Sequence, residues 1–421
     1  MPTTLWIDEL HSETLGELIV RTNALNLRRS PEKTRHHLVL DIVKAYASRG
    51  VEILVDGIVE MSPQGSGFLR WPRYNFRTLP QDIFVSPQIE RTFGLRQGNR
   101  LTARIRLPRD REKYLTIDEV LTIENIPVAE WRPTVEFDRL TALHPTERLV
   151  LENSKSRSIS PRAIDLIAPL GRGQRGLIVA APRTGKTILL KDIALSILAN
   201  SPETHLILLL VDERPEEVTD FQRSVPCEIF SSTFDESPIR HTAVAELVGE
   251  RAKRLVELKR HVVILLDSIT RLARGYNNLQ GNRGRTMSGG VDSKALVKPK
   301  KFFGAARNTE EGGSLTILAT ALVETNSRMD DLIFEEFKGT GNMELHLDRG
   351  LSDKRIFPAI NSLASATRRD ELLYHPQEFE RITVLRRQLA ALPPLEATEV
   401  LMHAIRATKS NAELLLTGLR G

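Results

Sequence analysis

The chain has 421 residues, 41% hydrophobic and 27% charged, with a formal net charge of +5; that is too long for one ordinary core and fits roughly two to four soluble domains. No apolar run reaches the ~18 residues of a membrane span, and the opening MPTTLWIDELHSETLG has no apolar signal-peptide core. The single cysteine, Cys227, excludes an internal disulfide framework and a four-cysteine zinc site, and is expected as a small buried side chain in a cytoplasmic protein.

Residues 1–50 read as a small helical domain, with apolar positions at helical spacing in LGELIVRTNALNL and TRHHLVLDIVKAYASRG. Ser30-Pro31-Glu32-Lys33 supplies a turn and an N-cap signal before the second helix, and Gly50 ends it. Its basic residues (Arg28, Arg29, Lys33, Arg35, His36, His37) suit a solvated helix face. Over 51–125 the pattern shifts to short β-type segments, VEILVDGIVEM, GSGFLRW, DIFVSP, RLTARIRLP and KYLTIDEVLTI, broken by Gly, Pro and Asn. That spacing suits a small closed barrel of the OB type. Residues 126–163, with prolines at 127, 133, 145 and 161 and little periodicity, read as a connector. Over 164–421 near-continuous apolar strands, GLIVAA, HLILLLVD, HVVILLD and SLTILATAL, alternate with helical patterns. This is the signature of a parallel sheet covered on both faces.

Charge is unevenly spread. Between Arg70 and Lys113 eleven Lys or Arg face four acids, a surplus of seven that exceeds the value for the whole chain. Phe68, Trp71, Tyr74, Phe76, Phe84, Phe93 and Tyr114 crowd the same region, from 68 to 114. Aromatic faces for bases and guanidinium groups for phosphates are what single-stranded nucleic acid needs. Some of these rings must instead fill the barrel; Phe93, and Phe76 with it, are the candidates.

The stretch VAAPRTGKT resembles the phosphate-binding pattern G-x-x-x-x-G-K-S/T, except that Ala180 holds the first position. Its context is a buried strand followed by an amphipathic helix, where backbone N–H groups and a helix N-terminus meet phosphate oxygens. Pro182, Arg183, Thr184, Gly185 and Ile188 complete the loop and first turn. Lys186 is expected on the β and γ phosphates of ATP, and Thr187 on Mg²⁺. HVVILLD ends at Asp267, placed as the second Mg²⁺-orienting group, and LILLLVDERPEE ends at Asp212-Glu213, where a carboxylate can orient the attacking water. Either acid by itself also fits an ordinary solvated strand end. Together, after such a loop, they point to ATP hydrolysis.

The segments GRGQRGLIVAAPRTGKT, VDERPEEVTDFQRSV, ILLDSITRLARGYN, GGVDSKAL, FFGAARNTEEGGSLTILATAL, EEFKGTGNMELHL and RIFPAI, in this order, resemble the bacterial transcription termination factor Rho family. In that family alanine is common at the first loop position. The resemblance implies three parts: an N-terminal helical domain, an OB-type (cold-shock-like) barrel, and a RecA-like α/β P-loop motor. It also implies a homohexameric ring that pulls RNA 5′ to 3′ and releases transcripts from RNA polymerase, with a Nus-type elongation factor as a further partner. By matching position, Glu213 is the catalytic carboxylate, Asp267 the Walker B acid, Arg214 a member of the same cluster and Phe357 the platform for adenine. Arg368 is the arginine that reaches a neighbour's γ-phosphate, and Arg355 a second interfacial arginine. Phe68, Arg70, Asp82, Phe84, Glu112 and Tyr114 match the primary site for pyrimidine-rich, especially cytosine-rich, RNA. Arg285 and Thr286 in GNRGRTMSGG, and Arg328 in VETNSRMDD, match channel loops. Departures are Ser66, where an aromatic is usual, Phe84 for tyrosine, and Arg183 for lysine; they bear on RNA preference more than on hydrolysis. Two rival readings stand beside this one: another RecA-like hexameric ATPase, or a specialised paralogue that only binds RNA.

Overall fold

The computed structural model describes residues 3–27, 32–62, 65–109, 111–153, 156, 158–280 and 290–419. The chain divides into two units, Met1–Val135 with Leu247–Arg254, and Glu136–Glu246 with Leu255–Gly421.

The first unit opens with a short strand, β1 (Thr4–Trp6), ahead of helices α1 (Ile7–Ser12), α2 (Leu15–Ala24) and α3 (Arg35–Ala47). β1 pairs in parallel with β2 (Glu52–Met61), so the helical segment also lends a strand to the next sheet; three residues are too few to register in hydrophobic periodicity. α2 begins with a capping box, in which Thr14 Oγ1 accepts from the Glu17 N–H at 3.3 Å and Glu17 Oε2 accepts from the Thr14 N–H at 2.6 Å. Such a cap contributes about 1 kcal/mol. The expected N-cap at Ser30-Pro31 falls outside the described residues, and α3 starts after Thr34 without a side-chain cap. Gly50, at φ 80°, donates its N–H to the Ala47 carbonyl and turns the chain into β2.

The next four strands are β3 (Gly67–Arg70), β4 (Ile83–Val85), β5 (Arg100–Arg106) and β6 (Leu115–Ile123). They follow in the spatial order β2-β3-β4-β6-β5, and pairing of β2 with β5 closes the ring. Each falls on one of the five segments marked in the sequence, giving the OB-type barrel expected there. Alternation explains the closure: Leu101, Ala103 and Ile105 of β5 are buried, as are Ile53 and Val55 opposite them on β2, Ile117 on β6 and Leu69 on β3. Helix α4 (Pro87–Phe93), capped by Ser86, bridges β4 and β5, and β7 (Ile126–Pro127) extends β6.

In the second unit, β8 (Ala142–Leu143) and helix α5 (Ser160–Ile167) precede β9 (Arg175–Ala180) and α6 (Lys186–Asn200). Then come β10 (His205–Glu213), α7 (Pro215–Ser224), β11 (Glu228–Thr233), α8 (Pro238–Glu257), β12 (His261–Asp267) and α9 (Ile269–Gln280). After these follow α10 (Val297–Gly304), β13 (Arg307–Thr309), β14 (Ser314–Leu322), α11 (Arg328–Lys338), β15 (Met343–Leu347), α12 (Arg349–Asp353) and β16 (Ala366–Thr367). Helices α13 (Pro376–Ala390), α14 (Pro394–Ala407) and α15 (Asn411–Thr417) close the chain. β11, β10, β12, β14, β9 and β15 lie side by side and parallel, with β16 antiparallel at the edge. Leu206 to Val211 and Val262 to Leu266 are all buried, as a sheet covered on both faces requires. Because these strands are parallel, Ala180, Glu213, Asp267, Leu322 and Leu347 all end at one edge of the sheet, where open α/β sheets bind ligands.

Candidate functional site

The phosphate-type loop leaves the sheet at Ala180, the last residue of β9, whose methyl group is buried in the core. Left-handed backbone in the loop falls on Arg183 (φ 68°) and Gly185 (φ 88°), not on Ala180. A Cβ at the first position is therefore tolerated, whereas Arg183 carries roughly 1–2 kcal/mol of backbone strain. Thr184 is buried and its hydroxyl donates to the Ala181 carbonyl at 2.8 Å, closing the turn, while Pro182 and Arg183 are exposed. At Gly185 a Cβ would meet the Phe357 ring at an ordinary 3.6 Å, so backbone conformation rather than space calls for glycine. α6 then starts at Lys186, and the N–H groups of Lys186, Thr187 and Ile188 lie in its first turn, where a helix has no acceptors of its own.

Lys186 connects this turn to the acids. Its ammonium donates to Asp267 Oδ1 at 2.5 Å and stands 3.8 Å from Glu213 Oε2. Asp267 is 1% exposed and accepts a second hydrogen bond, at 2.7 Å, from the Thr320 hydroxyl on the neighbouring β14. Glu213 reaches the cluster because β10 shifts register against β11 between Val211 and Glu213, with Asp212 at φ 55°. The bulge turns the carboxylate of Glu213 inward, where Arg271 holds it at 3.1 Å and also donates to the Asp212 carbonyl. Arg214 N-caps α7 with its side chain exposed. A half-buried ammonium set between two buried carboxylates offsets their like-charge repulsion.

The sequence reading missed both Thr320 and Arg271. Thr320 is one more residue of an apolar strand, and its partner lies 53 positions away. Arg271 lies in the first turn of α9, four positions after the strand-end Asp267, and that nearness was the available signal.

Beside the loop, Phe357 (41% exposed), Ile188 (68% exposed) and Gly185 line a pocket of about 400 Å³. Arg406 donates to the Phe357 carbonyl at 3.0 Å and fixes that segment. Arg355 is exposed and has φ 61°. Arg368 is placed quite differently. Its N–H donates to the Asn342 carbonyl at 2.9 Å, and Asn342 in turn binds Arg175, at the amino end of β9. The loop leaves the opposite end of that strand, about 17 Å away at ~3.3 Å per residue. The exposed Arg368 side chain does not reach its own chain's loop.

In the barrel, Phe68 pairs across the sheet with Phe84, and its ring meets Phe84 at 5.7 Å and Tyr114 at 5.0 Å, both edge to face. The Arg70 guanidinium lies 5.2 Å above the Phe68 ring. It donates to Glu60 Oε2 at 2.5 Å and pairs with Asp82. Asp82 is 2% exposed and its Oδ1 has no partner; burial, opposed by Arg70, pushes its carboxyl up to about 6. Glu112 accepts the Arg106 fork at 2.6 and 2.9 Å and the Arg109 N–H at 2.8 Å. Those bonds, Arg106 first, hold its carboxyl down at about 2. Ser66 belongs to the β2–β3 hairpin, where its carbonyl accepts from Ser62 N–H at 2.7 Å.

Three expectations about these residues need correction. Phe76 is buried at 4%, but Phe93 is only half-buried on the short surface helix α4, and Trp71, at 1%, is buried edge to face against His11 of α1. The basic surplus is smaller than it looks, because Arg100 pairs with Asp56 at 2.9 Å and Arg104 with Glu52 at 3.2 Å, acids from outside the counted stretch. Cys227 is half-buried rather than buried, and desolvation pushes its thiol up to about 12.

Arg285 and Thr286 lie outside the described residues. Arg328 opens α11 with its side chain exposed. The segment before it begins where Val323 N–H donates to the Ala180 carbonyl at 3.2 Å, and it is pinned by the buried Asp330, which accepts from Thr325 Oγ1 at 2.6 Å and from Arg274 Nε at 2.8 Å.

Among the described residues no group of three or more His, Cys, Asp or Glu side chains could by itself hold a metal ion. A Thr187 hydroxyl and a single buried carboxylate do suit Mg²⁺, which takes one or two protein oxygens together with substrate phosphates and water. No described helix is long and apolar enough to cross a membrane.

Known proteins match this arrangement. Residues 160–367 fit the model of the ATP synthase alpha/beta family nucleotide-binding domain, and residues 55–128 fit that of the Rho termination factor RNA-binding domain. Transcription termination factor Rho of Akkermansia muciniphila is 53% identical over 414 residues, covering 98% of this chain and 87% of the relative. The Rho of Cereibacter sphaeroides is 51% identical, covering 98% of each chain. Among solved structures, a prototypical ATPase from the type III secretion system of pathogenic bacteria superimposes with a TM-score of 0.53 at 24% identity, over 60% of this chain and 71% of that one; this likeness concerns the fold alone. With about half its residues identical to such relatives over nearly its full length, the chain belongs to the transcription termination factor Rho family.

Proposed function

We propose that this chain is an RNA-dependent ATPase that moves 5′ to 3′ along RNA and terminates transcription by releasing the nascent transcript from RNA polymerase. It works as a homohexameric ring in the cytoplasm, with a Nus-type elongation factor as a further partner. The observation that carries this reading is the cluster of Lys186, Asp267 and Glu213 at the end of a parallel sheet, in a chain whose barrel presents Phe68, Phe84 and Tyr114 together.

The roles follow from the chemistry of each group. N–H groups at the start of α6 take phosphate oxygens, and Lys186 exchanges its carboxylate partners for the β and γ phosphates. Thr187 and Asp267 would hold Mg²⁺, which would supply positive charge against that developing on the phosphates. Once Lys186 is drawn away, Glu213 keeps Arg271 as its partner and orients the attacking water. Phe357 and Ile188 flank the base, and Arg214 and Arg355 border the site. Arg368 serves the site of a neighbouring copy, since it stands at the far end of β9 from its own loop. In the barrel, bases stack on the aromatic trio, while Arg70, set by Asp82 and Glu60, meets phosphate or base edges; Glu112 shapes the approach to Tyr114. Arg328, with Arg285 and Thr286, contacts RNA in the channel. Pyrimidine-rich strands, cytosine above all, are the preferred RNA.

Steady-state ATP hydrolysis without nucleic acid, and with cytosine-rich RNA, adenine-rich RNA or single-stranded DNA, tests the reading. Strong stimulation by cytosine-rich RNA is expected. Hydrolysis indifferent to RNA would favour a different hexameric ATPase, and no hydrolysis under any condition an RNA-binding paralogue. Glu213→Gln should bind ATP and RNA yet turn over almost nothing; undiminished turnover would remove Glu213 from its role.

A further inference from the structure

The first unit holds a buried polar cluster apart from the aromatic trio. Gln81, in the turn before β4, is wholly buried, and its amide nitrogen lies 3.3 Å from Nε2 of His11 on α1 and 3.0 Å from Nδ1 of His36 on α3. His11 is also buried and stands edge to face against Trp71 at 4.8 Å and Tyr74 at 5.1 Å, and His36 meets the same Tyr74 at 4.9 Å. One side chain of the barrel thus joins two helices of the N-terminal segment. Gln81 adjoins Asp82, the partner of Arg70 beside the Phe68 ring, so the same turn feeds the candidate RNA surface.

An amide nitrogen carries two protons and accepts none. Both are spent here, one on each ring, so the facing ring nitrogens are bare and both imidazoles neutral. The other nitrogen of His11, Nδ1, then bears the ring's proton and stands 3.8 Å from Asp8 Oδ1. Turning the amide over would let its oxygen accept from protonated rings. It would also set the two amide protons where Gln81 Oε1 now has no partner among the described residues, and two unpaired donors are worse than one unpaired acceptor. The fixed charges around the cluster are unfavourable to a third proton. Arg35 of α3 donates to the Tyr74 hydroxyl at 2.8 Å and to the carbonyls of His11 at 2.9 Å and Glu13 at 2.6 Å, and Arg73 donates to Ser12 Oγ at 3.1 Å. Burial first, then Arg35 beside both rings, Arg73 beside His11 and His37 beside His36, hold both imidazoles below their ordinary 6.5, against the pull of Asp8 on His11.

We propose that His11, Gln81 and His36 form a pH-sensitive clasp that holds α1 and α3 on the barrel and opens on acidification. A proton added to either facing nitrogen meets an amide N–H head on, so the rings take protons only once released. The stability the clasp contributes is fully present above the ordinary 6.5 and is lost as pH falls through the lower folded values. One proton taken up on release changes the opening constant by about tenfold per pH unit. Asp82, next in the chain, is raised rather than lowered and acts in the opposite direction over this range, so a loss at low pH belongs to the rings.

Hydrogen exchange of the full-length protein at about pH 5.5 and about pH 7.5, corrected for the intrinsic rate at each pH, tests this. Protection in α1 and α3 should fall about tenfold at the lower pH relative to β12 of the second unit. Gln81→Glu, whose carboxylate accepts from protonated rings, should hold protection at the lower pH at or above its value at the higher. His36→Phe keeps a ring against Tyr74 but has no nitrogen to protonate, and should cut the loss to about threefold by leaving His11 alone. Wild-type protection that is equal at the two pH values, or a loss shared in full by β12, overturns the proposal. So does the full wild-type loss persisting in both variants.

Discussion

Replacing Thr320 by valine tests whether the buried carboxylate of Asp267 depends on its neighbour in the sheet. Thr320 is wholly buried and donates at 2.7 Å to the same Asp267 oxygen that Lys186 holds. Valine fills the same volume but has no proton to give. A hydrogen bond to a charged group contributes about 1.5–3 kcal/mol, and the added buried methyl returns about 0.8 kcal/mol. The net loss is about 1–2 kcal/mol. For a large domain each kcal/mol moves the midpoint by about 2 °C, so calorimetry should show a fall of about 2–4 °C in the transition of the second unit. Asp267 also loses one of the two groups that fix its Oδ1. Turnover should fall about tenfold, equivalent to about 1.4 kcal/mol, with RNA affinity unchanged. Thr320→Ser, which keeps the donor, should retain most of the rate. A valine variant with wild-type melting temperature and wild-type turnover would refute the reasoning.

Phe68→Ala removes the ring at the centre of the aromatic trio and should weaken single-stranded RNA binding by about 1–3 kcal/mol, leaving the salt dependence of affinity unaltered because no phosphate contact is lost; an altered salt slope with unchanged affinity would contradict this. Burial raises Asp82 to about 6 from its ordinary 3.8, so the folded state holds this proton more tightly than the unfolded chain. The stability linked to that proton is therefore fully present below the unfolded value and drains away as pH rises through about 6. Asp82→Asn should flatten this part of the pH dependence of urea unfolding, read by tryptophan fluorescence, and an unchanged slope would show that Asp82 does not titrate there. Cys227, with its thiol pushed up to about 12, should resist alkylation at pH 8 in the native protein and react once unfolded; rapid native labelling would contradict the assignment.

Those parts of the molecule that follow from local pattern were legible in the sequence. Alternation on β5 and the apolar runs of β10 and β12 mark strands whatever surrounds them, and a glycine-lysine-threonine turn between strand and helix marks its own chemistry. What depended on register was not legible. The inward turn of Glu213 comes from a bulge at Asp212 against β11, and the Thr320–Asp267 bond from the pairing of β12 with β14. No local signal encodes either. The barrel gives the same lesson in charge, since Arg100 and Arg104 look free in their own stretch and are paired from β2.

Arg368 at the amino end of β9, with the loop at the carboxyl end, has a consequence for assembly. Under its proposed role the donor and the acceptor of each contact are different patches of the same molecule, so association is head to tail and never self-complementary. A pair of copies then holds one complete site and one broken site. Any open row, however long, keeps one incomplete site at its end. Only a closed circle gives every member a partner, and opening it at any point silences one site without altering a single residue.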